Sequence, residues 1–421
     1  MTLDKKRSTL ALLALAVSAF AIGTTEFISV GLLPLIADDM HISVTTAGLT
    51  VSLYALGVTI GAPVLTSVTS GMSRKSLLLW IMIVFMIGNT LAATATGIGM
   101  LLAARVISAF SHGVFMSIGS TIAADLVPED RRASAISIMF TGLTVATVTG
   151  VPLGTFIGQQ FGWRAAFFMI VAVGLLAFIA NSMLVPSDLR KGAPAKFRDQ
   201  FKLAANGRML LLFLITALGY GGTFVVFTYL SPILQEITGF REGTVAVILL
   251  VYGIAIAIGN MIGGKLSNRQ PIKALFYMFI IQAVVLLALM FTAPYKAAGL
   301  ITIVLMGLLA FMNVPGLQVY VVMLAERFVP SAVDVASAIN IAAFNAGIAI
   351  GSYLGGVITD SIGLIHTSWI GALMVAAAVV LTGWSRALER KDHRESHAQQ
   401  QLQHNNNYNG RFNHNDFKSA R

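Results

Sequence analysis

Three ionisable residues lie inside long apolar stretches of this sequence. Glu26 is the only charged residue in the stretch 9–36, and Arg105 and His112 lie in the stretch 99–126. A side chain that stays charged near the middle of a bilayer costs on the order of 2.5 kcal/mol or more, so it needs a partner, a proton or a function. Arg105 and His112 are seven residues apart, which places both on one face of a helix.

These residue types favour proton transfer. We predict a charge interaction between Glu26 and Arg105, with His112 further along the same helix face. A carboxylate that gains and loses an arginine partner during a conformational change can load and unload a proton. The alternatives are a static structural ion pair for Glu26 and a hydrogen-bonded packing histidine for His112. Arg105 is expected to matter in either case, because arginine cannot shed its charge to ease burial.

The composition is that of a membrane protein with many spans. Of the 421 residues, 56% are hydrophobic and 11% are charged, whereas soluble domains carry about 25% charged residues. The formal charge of +10 could indicate a nucleic-acid partner, but the basic residues lie in short runs between apolar stretches. That pattern is typical of cytoplasmic loops, so we expect no nucleic-acid partner. The lack of cysteine excludes disulfides, thiol catalysis and thiolate metal sites.

Apolar stretches predict an all-α fold with twelve membrane-spanning helices. The spans are 9–36, 46–70, 76–97, 99–126, 133–158, 165–186, 209–234, 243–266, 274–293, 297–325, 333–359 and 365–387. No small-residue cleavage site follows a short apolar core, so the first is interpreted as a retained span and not as a signal peptide. Most of the 28 Lys and Arg residues fall on the side of the amino terminus, which predicts that both termini are cytoplasmic.

The longest polar interruption divides the chain into two halves of six spans. The predicted parts are a cytoplasmic amino terminus (1–8), an amino-terminal bundle (9–186), a central cytoplasmic loop (187–208), a carboxy-terminal bundle (209–388) and a disordered cytoplasmic tail (389–421). The loop is either a short amphipathic helix on the membrane or a solvated linker. The tail is rich in Gln, Asn and His without an apolar period, and we assign it no metal site.

The two halves contain an internal repeat. Residues 54–61 of the second span match 252–259 of the eighth, and 133–138 of the fifth match 336–341 of the eleventh. Equivalent spans are six apart and run in the same direction. This predicts a pseudo-two-fold axis along the membrane normal and a cavity between the halves.

Two kinds of motif stand out: basic residues after the second and eighth spans, and glycines with a proline in the fifth. Segments 66–75 and 264–273 and this fifth span resemble the major facilitator superfamily, in particular its twelve-span drug:proton antiporters and the arabinose-efflux and sugar-efflux permeases among them. The resemblance implies a role in gating for Arg74, Lys75, Gly150, Pro152, Gly154, Asn268, Arg269 and Lys273. Ser70 and Asn268 replace the acidic residue of that family's loop motif. The alternatives are membrane topology for the basic residues and helix packing for the glycines.

Polar side chains within the spans are candidates for the cavity lining. They are Thr24, Thr25, Tyr54, Tyr220, Tyr229, Tyr252, Asn313, Gln318, Asn340 and Asn345. The sequence Asn313-Val-Pro315 also predicts a local helix break. Taken singly, each polar residue is more typical of interhelical hydrogen bonding than of a binding site. Together they suit a sugar, a nucleoside or an amphipathic drug, and 18 methionines suit a promiscuous site.

The resemblance and the buried acid together predict secondary active efflux of a small molecule, acting as a monomer in the cytoplasmic membrane and powered by the proton gradient without a cofactor. No phosphate-binding loop of the form G-x-x-x-x-G-K-[ST] is present, which argues against a nucleotide-driven pump. The alternatives are proton-coupled uptake of a sugar or nucleoside, and an uncoupled channel or receptor. We expect no enzyme activity, because no catalytic triad or metal constellation is evident.

Overall fold

The computed structural model describes residues 5–416 apart from Ser70, 129–131, 188, 190–196, 268–269 and 331–332. Twelve helices in that part of the chain are long and apolar enough to cross a membrane, which confirms the predicted number of spans. The amino-terminal half contains α1 (Lys5–Met40), α2 (Val44–Val68), α3 (Arg74–Ala93), α4 (Ile98–Asp125), α5 (Arg132–Val145), α6 (Val151–Phe161) and α7 (Trp163–Leu184). Helices α5 and α6 form the fifth span, joined by a π-helical turn at Ala146–Gly150.

The carboxy-terminal half repeats this arrangement after a short helix in the central loop. Its helices are α8 (Phe197–Ala205) in the loop, α9 (Gly207–Phe227), α10 (Leu230–Pro232), α11 (Glu242–Ser267), α12 (Pro271–Thr292), α13 (Lys296–Ala310), α14 (Val314–Phe328), α15 (Val333–Ser361) and α16 (Thr367–Asp416). Helices α13 and α14 form the tenth span. Of the two alternatives for the loop, the structure shows a helix, and its Leu203 is buried.

Proline accounts for the breaks in the fifth and tenth spans. Pro152 lies in the first turn of α6, directly after the π-helical turn, and Pro315 lies in the first turn of α14. Proline has no N–H group to donate and its ring clashes with the carbonyl of the preceding turn. The break predicted at Asn313-Val-Pro315 is therefore confirmed, since α13 ends at Ala310 and α14 begins at Val314.

Glycines bring equivalent spans together in the two halves. In the amino-terminal half, Gly150 lies directly against the Thr24 side chain of α1, and Gly154 against another side chain of that helix. In the carboxy-terminal half, Gly351 of α15 lies against the backbone of Gly221 in α9. The fifth span thus packs on the first as the eleventh packs on the seventh, as the repeat predicts. The contacts of Gly150 and Gly154 are helix-packing contacts, which is one of the two interpretations offered for these glycines.

Gly351→Ala is expected to destabilise the protein by about 1–3 kcal/mol, because a methyl group there would overlap the backbone of Gly221. The matched control is Gly264→Ala in α11, where an added methyl group would meet its nearest neighbour, Pro315, at 3.9 Å. Thermal unfolding of both variants in detergent measures the difference. Equal unfolding temperatures would contradict the close packing of α9 on α15.

The last helix extends further than the sequence predicts. Residues 389–416 were expected to be disordered, whereas α16 continues without interruption to Asp416. A helix already nucleated by a membrane span adds residues at little cost, and residues 385–402 are rich in good helix formers. Arg208 at the start of α9 donates to both carboxylate oxygens of Asp392 at 2.7 and 2.8 Å, and Arg327 lies 3.4 Å from the same carboxylate.

Candidate functional site

Arg105 ties three helices together at the centre of the amino-terminal half. Its side chain is fully buried and donates to the backbone carbonyls of Thr25 at 2.6 Å, Glu26 at 3.1 Å and Thr50 at 3.1 Å. The first two carbonyls belong to α1 and the third to α2. Since a guanidinium has five N–H donors in a fixed plane, it can bind several carbonyls at once.

The predicted charge interaction between Glu26 and Arg105 therefore needs correction. Arg105 reaches Glu26 through the backbone carbonyl, not through a direct ion pair with the carboxylate. A carbonyl oxygen has a second lone pair beyond the one used in its helix. The backbone of α1 can therefore accept hydrogen bonds from Arg105 of α4 without the help of an α1 side chain. The carboxylate still interacts electrostatically with Arg105, but without direct contact.

Tyr54 connects Arg105 to His112. Its ring lies under the Arg105 guanidinium at 4.1 Å, and its hydroxyl lies 3.1 Å from Nδ1 of His112. All three side chains are buried. Arg105 and His112, which the sequence places on one face of α4, are thus connected through Tyr54 of α2. From the sequence, Tyr54 is a candidate for the cavity lining.

Two variants of Tyr54 are expected to separate these contacts. Tyr54→Phe keeps the ring under Arg105 and removes one buried hydrogen bond, with an expected loss of about 1 kcal/mol of stability. Tyr54→Leu also removes the cation–π contact, which adds a loss of about 2 kcal/mol in a desolvated site. Thermal unfolding should rank wild type, Phe and Leu in that order, whereas the same changes at the exposed Tyr295 should have no effect. Equal losses for the Phe and Leu variants would contradict a role for the ring.

Unlike the side chains of Arg105, Tyr54 and His112, the Glu26 side chain has no direct polar partner among the described residues. Its side chain is 8% exposed, and within the described residues its carboxylate makes no hydrogen bond or ion pair. The carboxylate lies within electrostatic range of the Arg105 guanidinium in its own half and close to the Tyr220 side chain of α9 in the other half. It is therefore a buried acid placed between the halves.

An aromatic cluster lies beside Glu26 and joins the halves. Its members are Phe27, Tyr220, Phe224, Phe227, Tyr252, Phe311 and Phe344. Phe27, the residue after Glu26, contacts three rings of the other half at centroid distances of 5.9 to 6.1 Å. Sequence reasoning found the two tyrosines and missed the phenylalanines. The signal was present in α9, where positions 220, 224 and 227 recur on one helix face.

The predicted amide residues form two networks inside the carboxy-terminal half. Asn340 accepts from Thr216 at 2.8 Å and donates to Gln318 at 3.5 Å. Asn313 donates at 3.2 Å to Gln282, a residue that sequence reasoning missed. These bonds join helices of one half to each other, as interhelical hydrogen bonds do.

Three other candidates for the cavity lining, Thr24, Thr25 and Asn345, contact only their own helix or their own half in the bonds and packing described here. Thr24 packs on Gly150 inside the amino-terminal half. Thr25 donates to the Ala21 carbonyl of its own helix, and Asn345 to that of Ile341. None of these contacts crosses between the two halves.

The two halves also meet at the end of the molecule where α2 begins and α15 ends. Tyr229 packs against Gly48 and Gly356 there, and its hydroxyl donates to the Ser352 carbonyl of α15 at 3.2 Å. Tyr229 therefore belongs to this end more than to the central site.

Two polar contacts close the interface at the same end. Thr45 donates to the Asp360 carboxylate at 2.7 Å. Between α6 and α11, Gln159 donates to the Glu242 carbonyl at 2.7 Å. Each contact joins a residue of the amino-terminal half to one of the carboxy-terminal half, so this end of the interface is held shut by polar groups as well as by packing.

Three of the basic gating candidates, Arg74, Lys75 and Lys273, lie at the opposite end. Arg74 forms an ion pair with Asp125 of α4, and Lys75 donates to the Ser182 carbonyl of α7 at 2.8 Å. Lys273 is exposed at the start of α12. Asn268 and Arg269 lie outside the described residues. Both basic residues of the first loop therefore bind within their own half.

Two repeated six-helix halves with ionisable side chains at their interface define a membrane transporter of the kind built from parallel repeats. The chain belongs to the Major Facilitator Superfamily, whose family model matches residues 15–327. Its expected small-molecule substrate and its place in a lipid bilayer follow from that membership.

Related proteins from bacteria carry the names of transporters, which is consistent with the prediction that the chain is not an enzyme. The chain is 81% identical to the "uncharacterized MFS-type transporter YtbD" of Bacillus subtilis strain 168, over 94% of this chain and 100% of that one. It is 37% identical to the "inner membrane transport protein YdhP" of Escherichia coli K12, over 88% and 94%. It is 32% identical to the "putative transporter AraJ" of the same organism, over 82% and 87%.

Solved structures share the fold. The crystal structure of a bacterial homologue of the human lysosomal transporter Spinster, in an inward-facing and occupied conformation, matches with a TM-score of 0.70. The match covers 91% of this chain and 98% of that one at 16% identity. At that identity, the likeness concerns the fold alone.

Proposed function

We propose that the protein is a proton-coupled efflux carrier of the cytoplasmic membrane, with Glu26 as the proton-carrying group. The observation that carries the proposal is the position of this carboxylate, buried between the halves without a direct hydrogen bond or ion pair among the described residues. A buried acid without a fixed partner changes its protonation state readily when its surroundings change. Movement of the halves would alter its distance from Arg105 and from water.

Alternating access between the halves follows from this proposal. The Thr45–Asp360 and Gln159–Glu242 contacts join the halves at one end. With both termini cytoplasmic, as the basic loops indicate, that end faces outward. Breaking these few polar contacts, and forming others at the cytoplasmic end, would expose the site to the opposite side.

The aromatic cluster supports an amphipathic substrate, such as a drug, with an apolar surface. Seven rings next to one carboxylate can bind an apolar body by stacking and edge contacts. A sugar such as arabinose stays a candidate, because the hydroxyls of Tyr220 and Tyr252 lie in the same cluster.

Everted membrane vesicles test both the coupling and the direction. Their lumen corresponds to the cell exterior, so an acidic lumen should drive substrate inward and release protons, which a pH-sensitive dye detects. Sugars, nucleosides and cationic or neutral antibiotics form the panel, and vesicles without the protein are the control. Accumulation by intact cells on external acidification would instead establish uptake by symport. Flux that does not depend on pH would establish an uncoupled channel.

A further inference from the structure

The two halves differ in how they satisfy one repeated tyrosine. Tyr54 in α2 and Tyr252 in α11 are equivalent in the internal repeat, and both side chains are buried. The Tyr54 hydroxyl lies 3.1 Å from Nδ1 of His112, whereas the Tyr252 hydroxyl has no hydrogen-bond partner among the described residues. A buried hydroxyl without a partner costs free energy, and buried tyrosines normally find one. The Tyr252 hydroxyl is therefore available to a group that the protein itself does not supply.

The ring of Tyr252 is held in place from two sides. It stacks on Phe227 of α9, with the ring centroids 5.2 Å apart and the planes inclined by 13°. On α13, Gly307 leaves room for the ring, because a Cβ atom at that position would lie 2.8 Å from it. These contacts fix the direction of the hydroxyl, and a binding group needs side-chain packing of this kind to hold it in position.

Tyr252 belongs to the aromatic cluster between the halves. Phe227, on which its ring stacks, contacts Phe27 of α1 at 6.1 Å, and Phe27 follows Glu26 in the chain. Tyr220 lies within electrostatic range of both Tyr252 and the Glu26 carboxylate. The cluster thus receives one buried polar group from each half, and neither group has a direct partner among the described residues.

The chemistry of these groups indicates what could bind between them. A phenolic hydroxyl can donate to an oxygen acceptor, which an ionised carboxylate cannot do. The rings of the cluster favour an apolar body that itself contains rings. A compound that satisfies Tyr252 therefore carries an acceptor oxygen next to a ring.

Resting on the proposed function, we infer that the Tyr252 hydroxyl selects the substrate by donating to a carbonyl oxygen of a largely apolar, ring-bearing compound. A compound without such an acceptor leaves the hydroxyl unpaired, and a site built around a hydrogen bond rejects analogues in this way. Nucleosides and carbonyl-bearing drugs fit this description. A simple sugar does not, because its many hydroxyls would be buried against apolar rings.

Thermal unfolding without substrate tests whether the hydroxyl is unpaired in the protein. Tyr252→Phe removes the hydroxyl and keeps the stacked ring, so its unfolding temperature should equal or exceed that of wild type. Tyr54→Phe is the matched variant at the equivalent position of the repeat, and it should unfold at a lower temperature because it loses a bond to His112. A lower unfolding temperature for Tyr252→Phe as well would show that protein or water already satisfies the hydroxyl, which contradicts the inference.

Transport into everted vesicles tests the selection itself. The probes are uridine and chloramphenicol, which carry rings and carbonyl groups, and tetraphenylphosphonium, which carries four rings and no hydrogen-bonding atom. In Tyr252→Phe, the KM for the carbonyl compounds should rise about tenfold, because their acceptor loses its partner. The maximal rate, and the KM for tetraphenylphosphonium, should stay at the wild-type values. Tyr295→Phe is the control, since Tyr295 is exposed and lies outside the cluster.

The possible failures are distinguishable. An unchanged KM for the carbonyl compounds in Tyr252→Phe would overturn the inference and leave the proposed carrier function intact. Wild-type transport of sugars or tetraphenylphosphonium alone would rule out this substrate class in the same way. If no compound of the panel moves protons in wild type, the proposed function fails, and the inference fails with it.

Discussion

Glu26→Gln is expected to abolish substrate-induced proton release while leaving the protein folded. Glutamine has nearly the shape of glutamate but cannot release a proton. Because the carboxylate has no direct hydrogen bond or ion pair within the described residues, the substitution breaks no such contact and removes a buried ionisable group. The unfolding temperature should therefore be equal to that of wild type or higher.

The measurement uses everted vesicles with an acidic lumen and a pH-sensitive dye. Proton release should fall to the level of vesicles that lack the protein, whereas exchange of labelled for unlabelled substrate, which needs no net proton transfer, should persist. Glu242→Gln is the matched control, because this residue is exposed and its contact with Gln159 uses the backbone carbonyl.

Each other outcome for Glu26→Gln has a distinct meaning. Full proton coupling in the variant would contradict Glu26 as the proton carrier. Loss of folding would instead identify Glu26 as a structural residue, the alternative that the sequence leaves open. Flux unchanged and independent of pH would favour an uncoupled channel.

Arg105→Lys is expected to destabilise the amino-terminal half strongly, although it conserves the charge. The guanidinium donates to three carbonyls on two helices and lies over Tyr54. A lysine ammonium is a compact point charge that lacks the planar fork, so we expect it to lose at least two of these bonds. Hydrogen bonds to charged groups contribute about 1.5–3 kcal/mol each, which predicts a loss of about 3 kcal/mol or more.

Thermal unfolding in detergent, followed by size-exclusion chromatography, measures this loss. Arg241→Lys is the control, since Arg241 lies in the loop before α11. An Arg105→Lys variant as stable as wild type but inactive in transport would contradict the structural role and leave Arg105 as a functional residue alone.

The repeat and the number of spans could be predicted because each rests on local sequence. Tyr54 and Tyr252 occupy equivalent positions in α2 and α11, and the structure shows how unlike their surroundings are. Tyr54 contacts Arg105 and His112, whereas the Tyr252 ring stacks on Phe227 at 5.2 Å and its hydroxyl is buried without a hydrogen-bond partner among the described residues. Repeated sequence therefore indicated equivalent positions but not equivalent chemistry.

The phenylalanines beside Glu26 could not be assigned to a site from the sequence. Phenylalanine is common in any apolar span, so Phe311 or Phe344 alone carries no functional signal. Their meeting depends on the rotation of α15 and on the break between α13 and α14, together with the approach of Phe27 from the other half. Hydropathy does not encode how far a helix rotates about its axis.

By itself, the sequence determined twelve spans, two repeated halves, a break at Pro315 and a buried acid at Glu26. These follow from bilayer thickness and backbone chemistry, which act on short stretches of chain. Only the tertiary structure decided that Arg105 binds the carbonyls of Thr25 and Glu26 and leaves the carboxylate without a direct partner among the described residues. Glu26 offers Arg105 two acceptors, its backbone carbonyl and its carboxylate. Which of them Arg105 binds depends on the relative rotation and depth of α1 and α4, and packing between helices that are distant in sequence sets both.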